Sequence, residues 1–429
     1  MKSSVFFTAL TVSLLSMGQL QAQLLYNGGT QIAVTGGGIL FVDSSVENHD
    51  GLFSNAGYTT IHGSFRNGGT ATGGGAATGV YYVRGDWENN NVFTSDQSEV
   101  VLDGAAQNIT GTSATTFYNL TLQNASVKTQ TIDATVSNID SLNDCEQATG
   151  GNNLFVTNAD VAAMQRVTGF VSSTGAGRLN RATNSTNTYL FPTGVNLVNP
   201  VYRPVEMTPS ASAAQNYTVR FAYNDPTNDN YDTATKSSNV SLVNGKYYHL
   251  IKQLNATTPA DLTIYFDPSA DGQWSSIGRW QDLPQWEDLS NTTLVSASPL
   301  SSQTKAAWVD NGNEPHALIK AIPVTTLYNF PNVFDPSSND PLNQTFHIID
   351  FGTFVTVTGM RIFDRWGEAV YDSQRDGTVR SYYGSSTYAW DGTYEGKKQP
   401  MGNYVYVATV KITATGEVKT AKGNIALLR

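Results

Sequence analysis

Two acidic loops carry the residue types that could hold a hard cation. Asp225-Pro226-Thr227-Asn228-Asp229-Asn230-Tyr231-Asp232 offers oxygen ligands at several spacings, and Asp267-Pro268-Ser269-Ala270-Asp271-Gly272 sets two carboxylates around a turn. Calcium gathers about six to eight such oxygens, and neither loop has the full ligand register of a calcium motif. Asx-rich turns that satisfy their own backbone account for both loops equally well. Calcium at Asp225, Asp229, Asp232, Asp267 and Asp271 is thus one expectation, and turn capping without a cofactor is the other. Trp274, Trp280 and Trp286 recur at an even spacing that would set three rings on one side of a continuous strand, as a sugar-stacking platform needs. Gly278 and Pro284 interrupt the run, which favours two strands and a turn with the rings in a core; glycan binding is the rival reading. Asp86 and Glu88 lie two apart, hence on one face of a strand, and are the best-placed pair for acid–base work on a glycosidic bond. A solvated turn pair explains them more simply. His49, His62, His249, His316 and His347 are scattered, and Gly-x-Ser-x-Gly, His-Glu-x-x-His and a phosphate-cradling glycine loop are absent. The expectation is no catalytic residue and no enzyme, with a polysaccharide-active enzyme the remoter alternative.

The elements that would position these groups are strands. The 429 residues include 38 glycines and only 14% charged residues, the composition of short strands joined by tight turns. Residues 23–185 have a loose repeat character: Thr60-Ile61-His62-Gly63-Ser64-Phe65-Arg66-Asn67 is echoed by Tyr82-Val83-Arg84-Gly85-Asp86-Trp87-Glu88-Asn89. The pattern predicts stacked β-solenoid-like rungs or β-sandwich repeats. Residues 71–79, built of Ala, Thr and Gly, are expected to form a flexible loop. From 186 to 322 the texture changes to longer strands with Pro at their edges, such as Tyr217-Thr218-Val219-Arg220-Phe221, and predicts a second, β-sandwich domain. Cys145 stands alone and reads as a small buried hydrophobe. Ten Lys+Arg balance ten Asp+Glu from Phe330 on, so the formal charge of −10 lies in the preceding part. That acidic body argues against nucleic acid and anionic lipid as partners.

From Pro331 the texture changes again. The chain runs through Arg365-Trp366-Gly367, then Trp390-Asp391-Gly392-Thr393, then Pro400 and Gly402 before the period-two strand Asn403–Val410, and on to Lys422-Gly423 and Arg429. This order resembles the gliding-motility-associated C-terminal domain, the type B sorting domain of the Bacteroidota type IX secretion system. Read from its residues the stretch 323–429 is an Ig-like sandwich, with Trp366 and Trp390 expected in its core. The resemblance implies docking on the type IX translocon and retention by a small outer-membrane β-barrel of the PorP/SprF kind. The expected contact is backbone pairing at a strand edge carrying Tyr404, Tyr406, Ala408 and Val410, with Ile425 and Leu427 on the terminal strand. Where the family carries a Pro-Asn-Gly-Asp-Gly-type loop, this chain has Asp335-Pro336-Ser337-Ser338-Asn339-Asp340, which keeps two carboxylates and loses both glycines.

The beginning of the chain agrees. Lys2 is followed by the apolar run Val5–Leu15 and then by Leu20-Gln21-Ala22, the layout of a signal peptide over 1–22, too short for a membrane helix. The combined expectation is an all-β, non-enzymatic adhesin or surface-structural protein on the outside of the cell. A secreted carbohydrate-binding module that takes surface glycans is the alternative.

Overall fold

The computed structural model describes residues 24–429, apart from 77, 256–257, 282–283, 323–327, 351–354, 377–378, 383–384 and 413–417. The expected signal peptide lies outside the described residues. The chain forms two compact units, one holding residues up to Lys236 together with Leu242–Ile319, the other holding Ser237–Ser241 and Lys320–Arg429. Among the described residues no helix is long and apolar enough to cross a membrane.

The first unit opens as a β-solenoid of about eight turns. In its first turn Leu25–Asn27, Gln31–Val34 and Ile39–Val42 lie on three faces. Each pairs in parallel with its counterpart a turn later, as in Leu25↔Val46, Gln31↔Leu52 and Ile39↔Tyr58. After four such turns the middle face drops out, and Gln107–Thr110 and Thr115–Leu122 begin two-strand turns that continue to Leu179–Thr183. Strands this short need connections that let successive turns pack backbone on backbone. At Gly104 a side-chain Cβ would run into the Arg84 carbonyl of the turn below, so only glycine fits. The expected flexible loop is a strand at its start: Thr70–Thr72 pairs with Leu52–Asn55, and Ala71 is buried in the core.

Two ladders fill the interior. One is aromatic: Phe53, Phe65, Trp87 and Phe117 stack through successive turns, with Phe65 to Trp87 at 4.8 Å and Trp87 to Phe117 at 5.5 Å between centroids. The other is polar and equally buried. Asn27, Asn48, Asn67 and Asn89 occupy matching register positions, and each Nδ2 donates to the next Oδ1 at 2.8, 2.8 and 2.9 Å. The same Nδ2 groups donate to the carbonyls of Leu52, Thr70 and Val92, so the ladder ties two faces of each turn together. Cys145 is buried, as expected of a small hydrophobe.

The second expected domain is not set off at residue 185. Leu179–Thr183 accepts Leu154–Val156 in parallel on one side and Gln215–Ala222 antiparallel on the other, so one sheet runs from solenoid into sandwich. The facing sheet is antiparallel throughout, in the order Tyr189–Phe191, Val205–Pro209, Ala260–Phe266, Ser301–Trp308 and Thr292–Val295. One core joins them, from Val42 to Leu318. The alternation that marks a solenoid strand also marks a sandwich strand, and the chain changes direction without changing its sheet.

The second unit is sandwich-like, as expected of an all-β C-terminal domain. Its larger sheet is ordered Val333–Phe334, Val418–Leu427, Gly402–Ile412, Val355–Phe363 and Ala369–Asp372. Phe346–His347, Ser385–Trp390 and Val379–Tyr382 form a smaller sheet. Trp390, Phe334, Phe346 and Tyr406 meet in its core.

Candidate functional site

Gly402–Ile412 alternates buried and exposed residues along its length, and Tyr404, Tyr406, Ala408 and Val410 take the buried side. Tyr404 packs on Trp390 at 5.0 Å, and Tyr406 lies 4.8 Å from Phe330 and 5.0 Å from Phe346. Ile425 and Leu427 are buried in the same core. The expectation of an exposed backbone edge at Tyr404–Val410 is corrected. That strand is central, paired with Val355–Phe363 on one side and Val418–Leu427 on the other. Val333–Phe334 covers the outer edge of the terminal strand at Ala426 and Leu427. Among the described residues no strand lies along that edge from 420 to 425. The outward face of this sheet sets Val407 between Arg361 and Lys422, and Val405 between Phe363 and Asn424.

A second correction concerns Trp366. Trp390 is in the core and donates from Nε1 to the Thr393 carbonyl at 2.8 Å, whereas Trp366 is 78% exposed at the tip of a hairpin. Asp364 Oδ1 accepts the backbone N–H of both Trp366 and Glu368 at 2.9 Å, and Gly367 takes φ +85°, so the tip closes on itself and turns the indole outward. Asp335 and Asp340, the carboxylates left in place of the family's loop, cap turns: Asp335 accepts from Ser337, which lowers its pKa, and Asp340 accepts from Leu342 N–H.

Residues 328–427 match the family model described as the CHU_C type IX secretion signal domain. The C-terminal unit carries a type IX secretion signal. The match covers the larger sheet and the motifs at Arg365–Gly367, Trp390–Thr393 and Gly402, and it implies interaction with the type IX machinery and export from the cell. No curated protein and no solved structure matches the chain.

In the first unit, the two acidic loops are engaged in their own architecture. Asp225 caps Pro226–Asp229 by accepting from Thr227 N–H at 2.8 Å, Asp232 accepts from Ala234 N–H, and Asp229 accepts from the Tyr248 hydroxyl at 2.5 Å. Asp267 caps the turn Pro268–Asp271. Asp271 is buried and takes a forked bond from Arg203, Nε at 2.6 Å and Nη2 at 3.0 Å, with the Tyr247 hydroxyl as a third donor. Burial works against the Arg203 charge, but the bonds to Asp271 prevail and its pKa is raised. The five carboxylates do not converge on a point, and among the described residues no three His, Cys, Asp or Glu side chains form a metal-binding group.

The tryptophans form no flat platform. Ser276–Trp280 and Trp286–Asp288 are two antiparallel strands with Trp280 opposite Trp286, edge to face at 5.7 Å. Trp274 and Trp286 are buried, and only Trp280 is half-exposed, packed on Tyr231. Asp86 and Glu88 bond between turns, Asp86 accepting from Asn108 N–H at 2.7 Å and Glu88 pairing with Arg66 at 3.1 Å.

Three polar groupings escaped the sequence reading. His249 and His316, far apart in the chain, are register partners in adjacent strands and fully buried. Trp308 Nε1 donates to His316 Nε2 at 3.0 Å, which leaves its Nδ1–H for the Glu314 carbonyl. Burial lowers His249 to about 4 and His316 to about 3, so both are neutral. Asp140 is buried beside Arg181, and desolvation outweighs that guanidinium to raise its pKa to about 7. Outside the solenoid, Asp43, His62, Arg84, Asp103 and Asn124 make a continuous surface ladder, with Asp43–His62 at 2.8 Å, His62–Arg84 at 3.2 Å and Arg84–Asp103 at 3.3 Å. Each member sits one turn beyond the last, a signal visible in sequence only once the turn length is known.

Proposed function

We propose that this type IX cargo is a non-enzymatic adhesin or surface-structural protein. Its secretion signal domain, after export, stays at the outer membrane on a small β-barrel of the PorP/SprF kind. The observation that carries this reading is the use to which the polar side chains of the body are put. Asp271 holds Arg203, Asp86 and Glu88 bridge solenoid turns, and the Asn27–Asn89 series binds one turn to the next. Stacked turns of this kind give a stiff body whose outer faces can repeat a contact many times.

The test is recovery of the tagged full chain from its native outer membrane beside a chain truncated after Ile322. Co-purification of one small β-barrel with the full chain alone supports retention on such a partner. Recovery of the full chain with no membrane partner counts against it.

A glycan-binding body is the second reading, and it rests on Trp280, the half-exposed ring of its cluster. Binding on a glycan array that disappears in Trp280→Ala, with an unchanged melting midpoint, would favour it.

A further inference from the structure

One end of the C-terminal unit gathers residues from several stretches of chain. The Gly392 carbonyl accepts from Gln399 N–H at 2.9 Å and from the Arg429 guanidinium at 2.8 Å, tying the Asp391-Gly392 turn to both. The Tyr404 hydroxyl donates to the Pro400 carbonyl at 2.7 Å. Phe363 is the register partner of Val405, and Leu427 that of Gly402, which sets the hairpin tip after Phe363 and the residues after Leu427 beside the start of the Gly402–Ile412 strand. The Arg365–Gly367 tip, the Gly392 turn, the Pro400 segment and Arg429 therefore share one end of the sandwich.

That end turns large apolar side chains to water: Trp366 is 78% exposed, Met401 64% and Leu428 49%. An exposed indole forgoes the burial that favours Trp87, Trp274, Trp286, Trp308 and Trp390. Its support is nevertheless rigid, because Asp364 fastens the tip through two backbone N–H groups and the Arg365 guanidinium lies 5.3 Å from the Trp366 ring centroid. A large ring on a pre-formed turn loses little freedom on docking, and Trp and Arg are the side chains that most often dominate interfaces.

We propose that Trp366, with Arg365 against its ring and Met401 at the same end of the sandwich, is the anchor by which the secretion signal domain docks, its indole entering an apolar pocket with an acidic rim on a protein of the type IX export machinery. The class of partner rests on the reading of residues 328–427 as an export signal. The acidic rim follows from the guanidinium stacked beside the ring.

The test uses the full chain in a Bacteroidota cell with a working type IX system. Trp366→Ala and, independently, Met401→Glu are compared with wild type and with a chain truncated after Ile322. Surface and periplasmic pools are measured by labelling intact and lysed cells, and melting midpoints on the purified proteins. The proposal expects Trp366→Ala to lower the surface pool at least about ten-fold, with a matching periplasmic rise and an unmoved midpoint; Met401→Glu moves the same way. If both variants reach the surface like wild type while the truncated chain does not, the anchor lies elsewhere and the proposal fails, although the domain remains the export signal. If the truncated chain also reaches the surface, the reading of the domain as the export signal fails with it.

Discussion

Asn48 donates from Nδ2 to the Oδ1 of Asn67 at 2.8 Å, one rung of a fully buried amide ladder that holds the first four solenoid turns in register. A one-residue slip would move every Asn of that face out of the interior, so the ladder specifies register as well as adding hydrogen bonds. Asn67→Ala would leave the Asn89 Oδ1 and the Val92 carbonyl without the Asn67 donor. We expect a loss on the order of 3 kcal/mol, from roughly 1–3 kcal/mol for each buried group so orphaned. Urea unfolding monitored by tryptophan fluorescence measures it; a loss within error of zero would mean that the ladder contributes no net stability.

The Arg203–Asp271 pair gives a second prediction. Asp271→Asn leaves a guanidinium at 6% side-chain exposure with its charge no longer matched. Removing one member of a buried pair costs about 3–5 kcal/mol. Asp232→Asn, on an exposed turn, should cost far less, and the comparison of the two midpoints checks the assignment of Asp271 to structure.

The buried histidines set the acid sensitivity of the first unit. Their folded values of about 4 and about 3 lie below the ordinary histidine value, so between pH 6.5 and 4 the unfolded chain binds two protons that the folded chain does not. Stability is complete above pH 6.5 and falls as the pH drops through that window. Asp140 works the other way, because at about 7 its carboxyl is protonated in the folded chain while the unfolded chain has released that proton. The net difference is one proton, or about 1.4 kcal/mol per pH unit. Asp140→Asn removes the opposing group, and the loss from pH 6.5 to 5 should roughly double, from about 2 to about 4 kcal/mol. Unfolding midpoints of wild type and variant at the two pH values decide it; equal slopes would contradict the assignment.

Trp390 and Trp366 should separate cleanly in stability. Trp390→Ala empties the centre of the C-terminal core and is expected to cost about 3–5 kcal/mol, whereas Trp366→Ala, at an exposed tip, should change the midpoint little. Thermal melts of the two variants distinguish core from surface, and an equal loss would refute the placement of Trp366.

Much of this architecture was legible from residue types. Gly and Asn recur between short apolar runs because stacked turns need close backbone approach and buried amides, and that pattern marks the solenoid. The Trp280–Trp286 segment read as two strands and a turn because Pro284 cannot serve a central ladder. The rest depends on contacts that sequence spacing does not encode. His249 meets His316 only after the sandwich sheet forms, and Trp366 faces solvent because Asp364 closes the hairpin beneath it. The strand carrying Tyr404 was expected at an edge because the resemblance implies docking by backbone pairing, yet its alternation reports only which faces differ and says nothing about neighbours on either side.

Residues 320–429, with the type IX secretion signal at 328–427, direct the solenoid body out of the cell. The most direct measurement is labelling of intact cells with an antibody to the body, for the full chain and for a chain truncated after Ile322. Surface label is expected for the full chain alone, with the truncated chain folded and held in the periplasm. Equal surface label for both chains would contradict it.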